Sequence, residues 1–342
     1  VTRSTLTAAV TAAIFTAALA ANAPVKAQQK LTKVTFATNW LAEAEHGGHF
    51  QAVADGTYKK YGLDVTIRPG GPQINNRLLL VTGKVDFYMS GNMIPAFTAV
   101  EQKIPVVTVA AMFQKDPLVF MSHPGQGLDK WTDLPKANAM IIGKEVQAAA
   151  YQWMKLAFGF KDSQIKPYSF NPAPFIADKK SVQQGYITAE PFAVEKAAGF
   201  KPNLFLAADQ GFDTYSTTIE ARLDTVAKKP ELVQRFVDAS IIGWYNYLYG
   251  DNKAANALIK KMNPEMTDAQ ITFSIQKMKE YGIVDSGDTA KLGIGAMTDA
   301  RMKSFFDKMA KAKVIDPQLD YAKSYTLKFV NKGVGLNLRP KK

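Results

Sequence analysis

The sequence predicts an α/β fold of two units, and three observations carry that prediction. Short β-like runs alternate with helix-like runs over residues 34–112, the alternation restarts after Pro117, and from Lys229 onward the chain reads as helix alone. Its 342 residues are 47% hydrophobic, which places them with globular chains rather than disordered ones and gives length enough for two domains.

Residues 1–27 stand apart. Arg3 and Lys26 are their only charges and 6–21 is an Ala-rich apolar run. This is the pattern of a secretory signal peptide with Val25-Lys26-Ala27 as its cleavage site, leaving about 315 residues. The run is too short for a membrane span, and no later apolar stretch reaches about eighteen residues, so a soluble exported protein is expected.

Residues 34–37 form a first strand ending at Thr38-Asn39-Trp40, and a helix starts near His46. Leu63, Val65 and Ile67 alternate in a second strand that stops at Arg68-Pro69-Gly70-Gly71. Pro72 suits the first turn of a helix carrying 78–81 and ending at Gly83. Val85, Phe87 and Met89 make a third strand running into Ser90-Gly91-Asn92; a helix follows through Val100, and 106–112 is a fully apolar strand. The order implies a mostly parallel sheet with helices on both faces.

In the second set, 118–122 and 139–142 are strands, and 143–147 lead into a helix over 148–158 that stops at Gly159. A strand over 165–170, a helix over 175–184, a strand over 186–188, a helix opened by Glu190-Pro191 and closed by Gly199, and a strand over 204–207 complete it. Beyond Pro230, Leu232, Val233, Phe236, Val237, Ile241, Trp244 and Leu248 recur on one helix face. Thr267 with Gln270 reads as a capping box, and Thr298 caps a last helix whose Met302, Phe305, Phe306 and Met309 are core. The expected division is 1–27 signal peptide, 28–116 lobe one, 117–212 an inserted lobe two, and 213–342 a return to lobe one with C-terminal helices.

Composition excludes several functions. Zero cysteines rule out a disulfide framework, a thiolate nucleophile, a cysteine-ligated metal and a lipidated cysteine at the cleavage point. Removing Arg3 and Lys26 lowers the formal charge from +12 to about +10, and the basic residues are scattered as Lys-Lys pairs. Nucleic-acid binding, which wants a dense patch with exposed aromatics, is not expected.

In open sheets, ligands bind beyond the carboxyl ends of strands, where helix N-termini present free N–H groups. The residues there are Asn39-Trp40, Gly70-Gly71, Ser90-Gly91-Asn92, Gln114-Lys115, 143–147 with Gln147 at its end, Asn171, Glu190 and 214–218. Amides, hydroxyls and rings prevail over any nucleophile with its base, which is the character of a binding cleft.

Asn39-Trp40 with His46, the run Gly56-Thr57-Tyr58-Lys59-Lys60-Tyr61-Gly62-Leu63-Asp64-Val65, Gly83-Lys84-Val85-Asp86-Phe87, Ile104-Pro105-Val106-Val107, and Gln183-Gln184-Gly185-Tyr186 with Glu190-Pro191 together resemble the thiamine-pyrimidine (NMT1/THI5-like) and nitrate/sulfonate/taurine-like superfamily of ABC-importer solute-binding proteins. The resemblance implies a type II periplasmic binding fold: two α/β lobes joined by crossovers near 115–117 and 211–218, closing over one solute, with the C-terminal helices on lobe one. It also implies a periplasmic, monomeric protein whose partner is an ABC permease in the inner membrane. The fungal branch, a pyrimidine-forming enzyme, carries a cysteine-rich segment; this chain has no cysteine, and the segment aligned with that enzyme's histidine and lysine reads Gly91-Asn92-Met93-Ile94-Pro95. A catalytic role, a cofactor and a metal are therefore not expected.

A small planar heterocycle, such as a thiamine pyrimidine precursor, suits the residues placed at strand ends. Trp40 would stack on a ring, Glu190 would pair with a ring nitrogen and its amine, and Asn39, Gln114, Tyr215 and Thr217 would fix orientation. The remaining candidates are His46, Gly71, Asn92, Gln147 and Tyr186. Trp40 also reads as a half-buried lobe residue, Glu190 as a helix N-terminal carboxylate, Tyr186 as packing beneath the cleft, and His46 as a helix start. Glu43-x-Glu45-His46-x-x-His49 has ligand types for zinc or nickel, but Gly47-Gly48 loosens the geometry. His123 precedes Pro124 in a loop and is expected to be exposed. A sulfonate, nitrate or aromatic carboxylate is the alternative solute; only Arg68, Lys115 and Lys144 stand near strand ends to meet an anion.

Overall fold

Among the described residues ten strands build two mixed sheets, one from each half of the alternating pattern. In the computed structural model, which describes residues 1–2, 30–71 and 74–340, the first sheet contains β1 (Thr32–Ala37), β2 (Leu63–Arg68), β3 (Phe87–Asn92), β4 (Val106–Phe113) and β10 (Ser216–Arg222), in the order β2-β1-β3-β10-β4. The second contains β5 (Leu118–Ser122), β6 (Ala139–Ile142), β7 (Ile165–Pro167), β8 (Ser181–Tyr186) and β9 (Asn203–Leu206), in the order β7-β6-β8-β5-β9. Residues 3–27 of the expected signal peptide and Pro72 lie outside the described residues. Among the described residues no helix is long and apolar enough to cross a membrane.

The chain passes between sheets twice, between Phe113 and Leu118 and between Leu206 and Ser216. Each strand that follows a passage runs against its neighbours: β5 is antiparallel to β8 and β9, and β10 to β3 and β4. The expectation of a mostly parallel sheet is corrected on this point, because it lacked β10. That strand also draws β3 onward, so that Ser90, Gly91 and Asn92 lie inside β3 rather than beyond it.

Other elements move too. Residues 181–184, read as helix, form most of β8, with a short helix Ala173–Ala177 before them. Pairing between β5 and β6 overrides the local pattern there and buries Gln183 and Gln184 in a central strand. The helix near Pro72 begins only at Arg77, β7 stops at Pro167, and the 148–158 helix breaks at Ala149 into Lys144–Ala148 and Ala150–Phe158. The Thr298 side chain does not cap its helix; it donates to Asp288. Half of the capping box forms: Thr267 accepts from the Gln270 N–H, but the Gln270 amide reaches Ala189 O instead.

Leu31–Lys342 form one compact unit. Helix Pro230–Tyr249 lies on the first sheet, with the Phe236 ring stacked 4.1 Å from Phe87 and Trp244 edge-on to Phe113. Helix Asp268–Glu280 instead reaches across to the second lobe, where Ser274 donates to Thr188 O.

Candidate functional site

A cavity partly open to solvent lies where the two sheets' strand ends and helix starts face each other. Its first-sheet side is the loop after β1. Gly70 makes that loop possible: its N–H donates to Trp40 O at 2.9 Å, and a Cβ there would stand 2.5 Å from Thr38 O. Asn39 and Trp40 are thereby presented to the cavity, with the indole half-buried and 6.1 Å from the Tyr168 ring in a near-parallel stack.

Glycine shapes the acidic side in the same way. Glu145, at the start of helix Lys144–Ala148, accepts from Asn39 Nδ2 at 2.6 Å and from the Gly91 N–H at 2.7 Å, so it crosses the cleft to grip the first lobe. A Cβ on Gly91 would stand 2.3 Å from that carboxylate. Glu190 opens helix Glu190–Ala198 and folds back onto β8, accepting from the Tyr186 N–H at 2.7 Å and the Tyr168 hydroxyl at 3.0 Å. Gly185 leaves room for that fold, since a Cβ there would stand 2.7 Å from the Glu190 Cβ.

Five carboxylates line the cavity: Glu43, Glu45, Asp116, Glu145 and Glu190. No lysine or arginine lines it with them, and the one lining histidine, His46, is held neutral by burial, its pKa lowered to about 3. Burial pushes Glu190 and Asp116 up to about 7 each. Burial, then Glu45 and Glu190 nearby, drive Glu43 well above the carboxylate range; burial raises Glu45 and Glu145 as well. Both Glu45 oxygens and Glu43 Oε1 lack a well-formed hydrogen bond within the protein, and Trp40 beside Glu43 and Thr188 beside Glu45 offset their burial only in part. The cavity thus presents hydrogen-bonding acids that ionise readily once a cation or a set of N–H donors arrives.

Of the eleven candidates read from sequence, Asn39, Trp40, His46, Asn92, Tyr186, Glu190 and Thr217 line the cavity. Thr217 does so at a cost: its φ of 48° is rare for a β-branched residue. That left-handed step breaks the strand's alternation and sends Tyr215 elsewhere, where its hydroxyl accepts from the Thr298 N–H and donates to Asp288 beneath the Arg301 guanidinium. Gln114 is also outside, its amide donating to Ala111 O and Ala296 O. Gln147 faces solvent because helix geometry turns Glu145 and Val146 inward instead. Gly71 is buried in the loop, its carbonyl accepting from the Ile74 N–H.

The sequence reading missed Asp116 and Glu145 and assigned Glu43 and Glu45 to a possible metal cluster. Among the described residues no group of three or more His, Asp or Glu side chains is placed to hold a metal. His49 is in the core with its Nδ1 3.1 Å from the Tyr58 hydroxyl. His123 is buried, not exposed: Nε2 meets Phe175 O and the ring lies between Phe175 and Phe200. The signal available for the missed acids was position, Asp116 in the passage between sheets and Glu145 two residues past the Gly143 strand end.

A family model described as NMT1/THI5 like matches residues 43–254. The riboflavin-binding protein RibY of Chloroflexus aurantiacus is 26% identical over 327 residues, 92% of this chain and 90% of that protein. A solved structure from Bordetella bronchiseptica RB50 aligns at a TM-score of 0.66 and 15% identity, covering 90% of this chain and 98% of its own. The periplasmic aliphatic sulphonate binding protein SsuA of Escherichia coli aligns at a TM-score of 0.60 and 12% identity, covering 85% and 91%.

Proposed function

Because the chain belongs to the NMT1/THI5-like family, we propose that it is the periplasmic solute-binding component of an ABC importer, without catalytic activity, and that its two lobes close over a planar heterocycle rich in N–H donors or positive charge. A thiamine pyrimidine precursor fits that class; the riboflavin named for the Chloroflexus relative shares its planar ring but offers a single ring N–H. The observation that carries the reading is the cavity's one-sided charge: five carboxylates, a neutral histidine and an indole face, with no lysine or arginine among the lining residues. A sulfonate, nitrate or carboxylate solute would meet repulsion from every ionised group there.

Stacking on Trp40 contributes about 1–3 kcal/mol and each hydrogen bond to an ionised carboxylate about 1.5–3 kcal/mol. Two such bonds and one stack sum to about 4–9 kcal/mol, so micromolar capture, about 8 kcal/mol net, also requires burial of the ring's apolar surface between the lobes. Glu145 and the Trp40–Tyr168 pair bridge the lobes, so closure over a solute is supported by contacts of the protein's own to which the solute adds.

Calorimetry with 4-amino-2-methylpyrimidine, riboflavin, an alkanesulfonate and nitrate tests the proposal. Binding of a heterocycle at one site per chain, with no heat from either anion, is expected; saturable binding of an anion with none of the heterocycles would overturn it. Fractionation of the native host should place the protein outside the inner membrane, and the solute-loaded form should stimulate the ATPase of its permease.

A further inference from the structure

Glu190 and Tyr168 are a partition. On the far side from the acidic cavity is a second cavity, also lined by Glu190. Its floor is β8, whose alternation sends Gln184 toward the first cavity and Gln183 into the second. Gln184 is satisfied there, accepting from the Gly143 N–H. Gln183 is fully buried, and neither its amide nitrogen nor its amide oxygen has a hydrogen-bond partner in the protein. A buried amide with both ends unpaired destabilises a fold unless something pairs with it. The neighbouring amide, Gln270, does not, because its nitrogen is engaged by Ala189 O.

We propose that this second cavity receives a neutral extension bearing hydroxyl or amide groups on the same solute whose ring occupies the first cavity, with Gln183 donating to it and accepting from it. This rests on the heterocycle reading above. Glu190 lines both spaces, and Tyr168, which lines the second and donates its hydroxyl to Glu190, stacks beside Trp40 of the first, so the two cavities adjoin and the solute passes from one to the other where this pair parts. The extension is neutral because Glu190 and Glu265 face it with no lysine or arginine among the lining residues, which excludes a phosphate. Ala193 and Met266 supply the apolar wall against which a chain of carbons lies.

Lumiflavin, the same ring with only a methyl group, and riboflavin, the ring with a polyol tail, are the probes. In the native chain riboflavin should bind about 10-fold or more tighter than lumiflavin. Gln183→Leu should lower riboflavin affinity by about that factor and leave lumiflavin within about two-fold. Its melting temperature should not fall, since it removes an unpaired buried amide. Ala193→Leu, which fills the cavity from the adjacent helix, should reproduce the selective loss and keeps the test open if Gln183→Leu does not fold. Equal affinity for the two probes in the native chain, as expected if water alone fills the cavity, overturns this proposal and leaves the heterocycle reading standing. So does an equal loss of both probes in the variants. Aminopyrimidine binding without either flavin also overturns only this proposal, whereas failure of every heterocycle overturns both.

Discussion

Replacing Glu190 with glutamine isolates the property on which the site depends, a carboxylate kept protonated by burial. The ordinary glutamate value is 4.5 and the folded value about 7. Between those values the folded chain holds a proton that the unfolded chain has released, so stability falls as pH rises through that window. The full difference corresponds to about 3 kcal/mol at 1.36 kcal/mol per unit, shared in part with Glu43 and Glu45 because the three acids interact.

Glutamine removes the titration and keeps one of the two acceptors. Like the protonated acid, the glutamine offers one carbonyl acceptor for the Tyr186 N–H and a donor group beside the Tyr168 hydroxyl. Near pH 5 the variant should therefore be close to the native chain in stability. Near pH 8, where the native chain must ionise its buried acid, the variant should be the more stable of the two. The assay is urea unfolding at both pH values without solute: the drop in stability on going to pH 8 should be smaller in Glu190→Gln by about 2–3 kcal/mol. Binding of the aminopyrimidine near pH 8 should weaken about 10- to 100-fold, the loss of one charge-assisted hydrogen bond. A variant whose stability falls with pH as steeply as the native chain's would refute the assignment of the proton to Glu190.

Trp40→Ala should weaken heterocycle binding by about 1–3 kcal/mol and abolish most ligand-induced quenching of indole fluorescence; undiminished quenching would place the ring elsewhere. Tyr215→Phe removes a hydroxyl that accepts from Thr298 and donates to Asp288, so unfolding free energy should fall by about 1–2 kcal/mol with solute affinity unchanged, and an affinity loss would return Tyr215 to the site. Thr217→Gly relieves the left-handed strain and should raise the denaturant midpoint while weakening binding, and a lowered midpoint would show that the hydroxyl, not the backbone, is what the position stabilises.

Much of this arrangement is legible in the sequence because it is local. Strands β5 and β6, the Gly199 stop and the Pro230 helix start are fixed by apolar runs and terminators a few residues away. Asn39, Trp40 and Glu190 are legible for a related reason: they sit where a strand or helix begins or ends, and such positions are punctuated by glycine or proline. What is not legible is decided by distant partners. β10 is a central strand because β3 and β4 accept it on both edges, and nothing within Ser216–Arg222 states that. The side-chain fates of Gln114 and Gln147 depend on which lobe or solvent faces them, so two amides at equivalent strand ends part company.

The acids show the same limit more sharply. In the sequence, Glu43, Glu45 and His46 are a charged cluster beside another histidine, and charge density with imidazoles suggests a metal. In the fold the imidazoles are buried and neutral, and the acids face three more carboxylates drawn from residues 116, 145 and 190. Five carboxylates crowded into one cleft cannot all ionise, so the cavity holds protons and gives them up against a solute able to compensate the charge. A cation or an N–H donor does this and an anion does not. Selectivity in this fold therefore need not come from cavity shape alone, since the same two-lobed frame lined with cations would select the opposite charge.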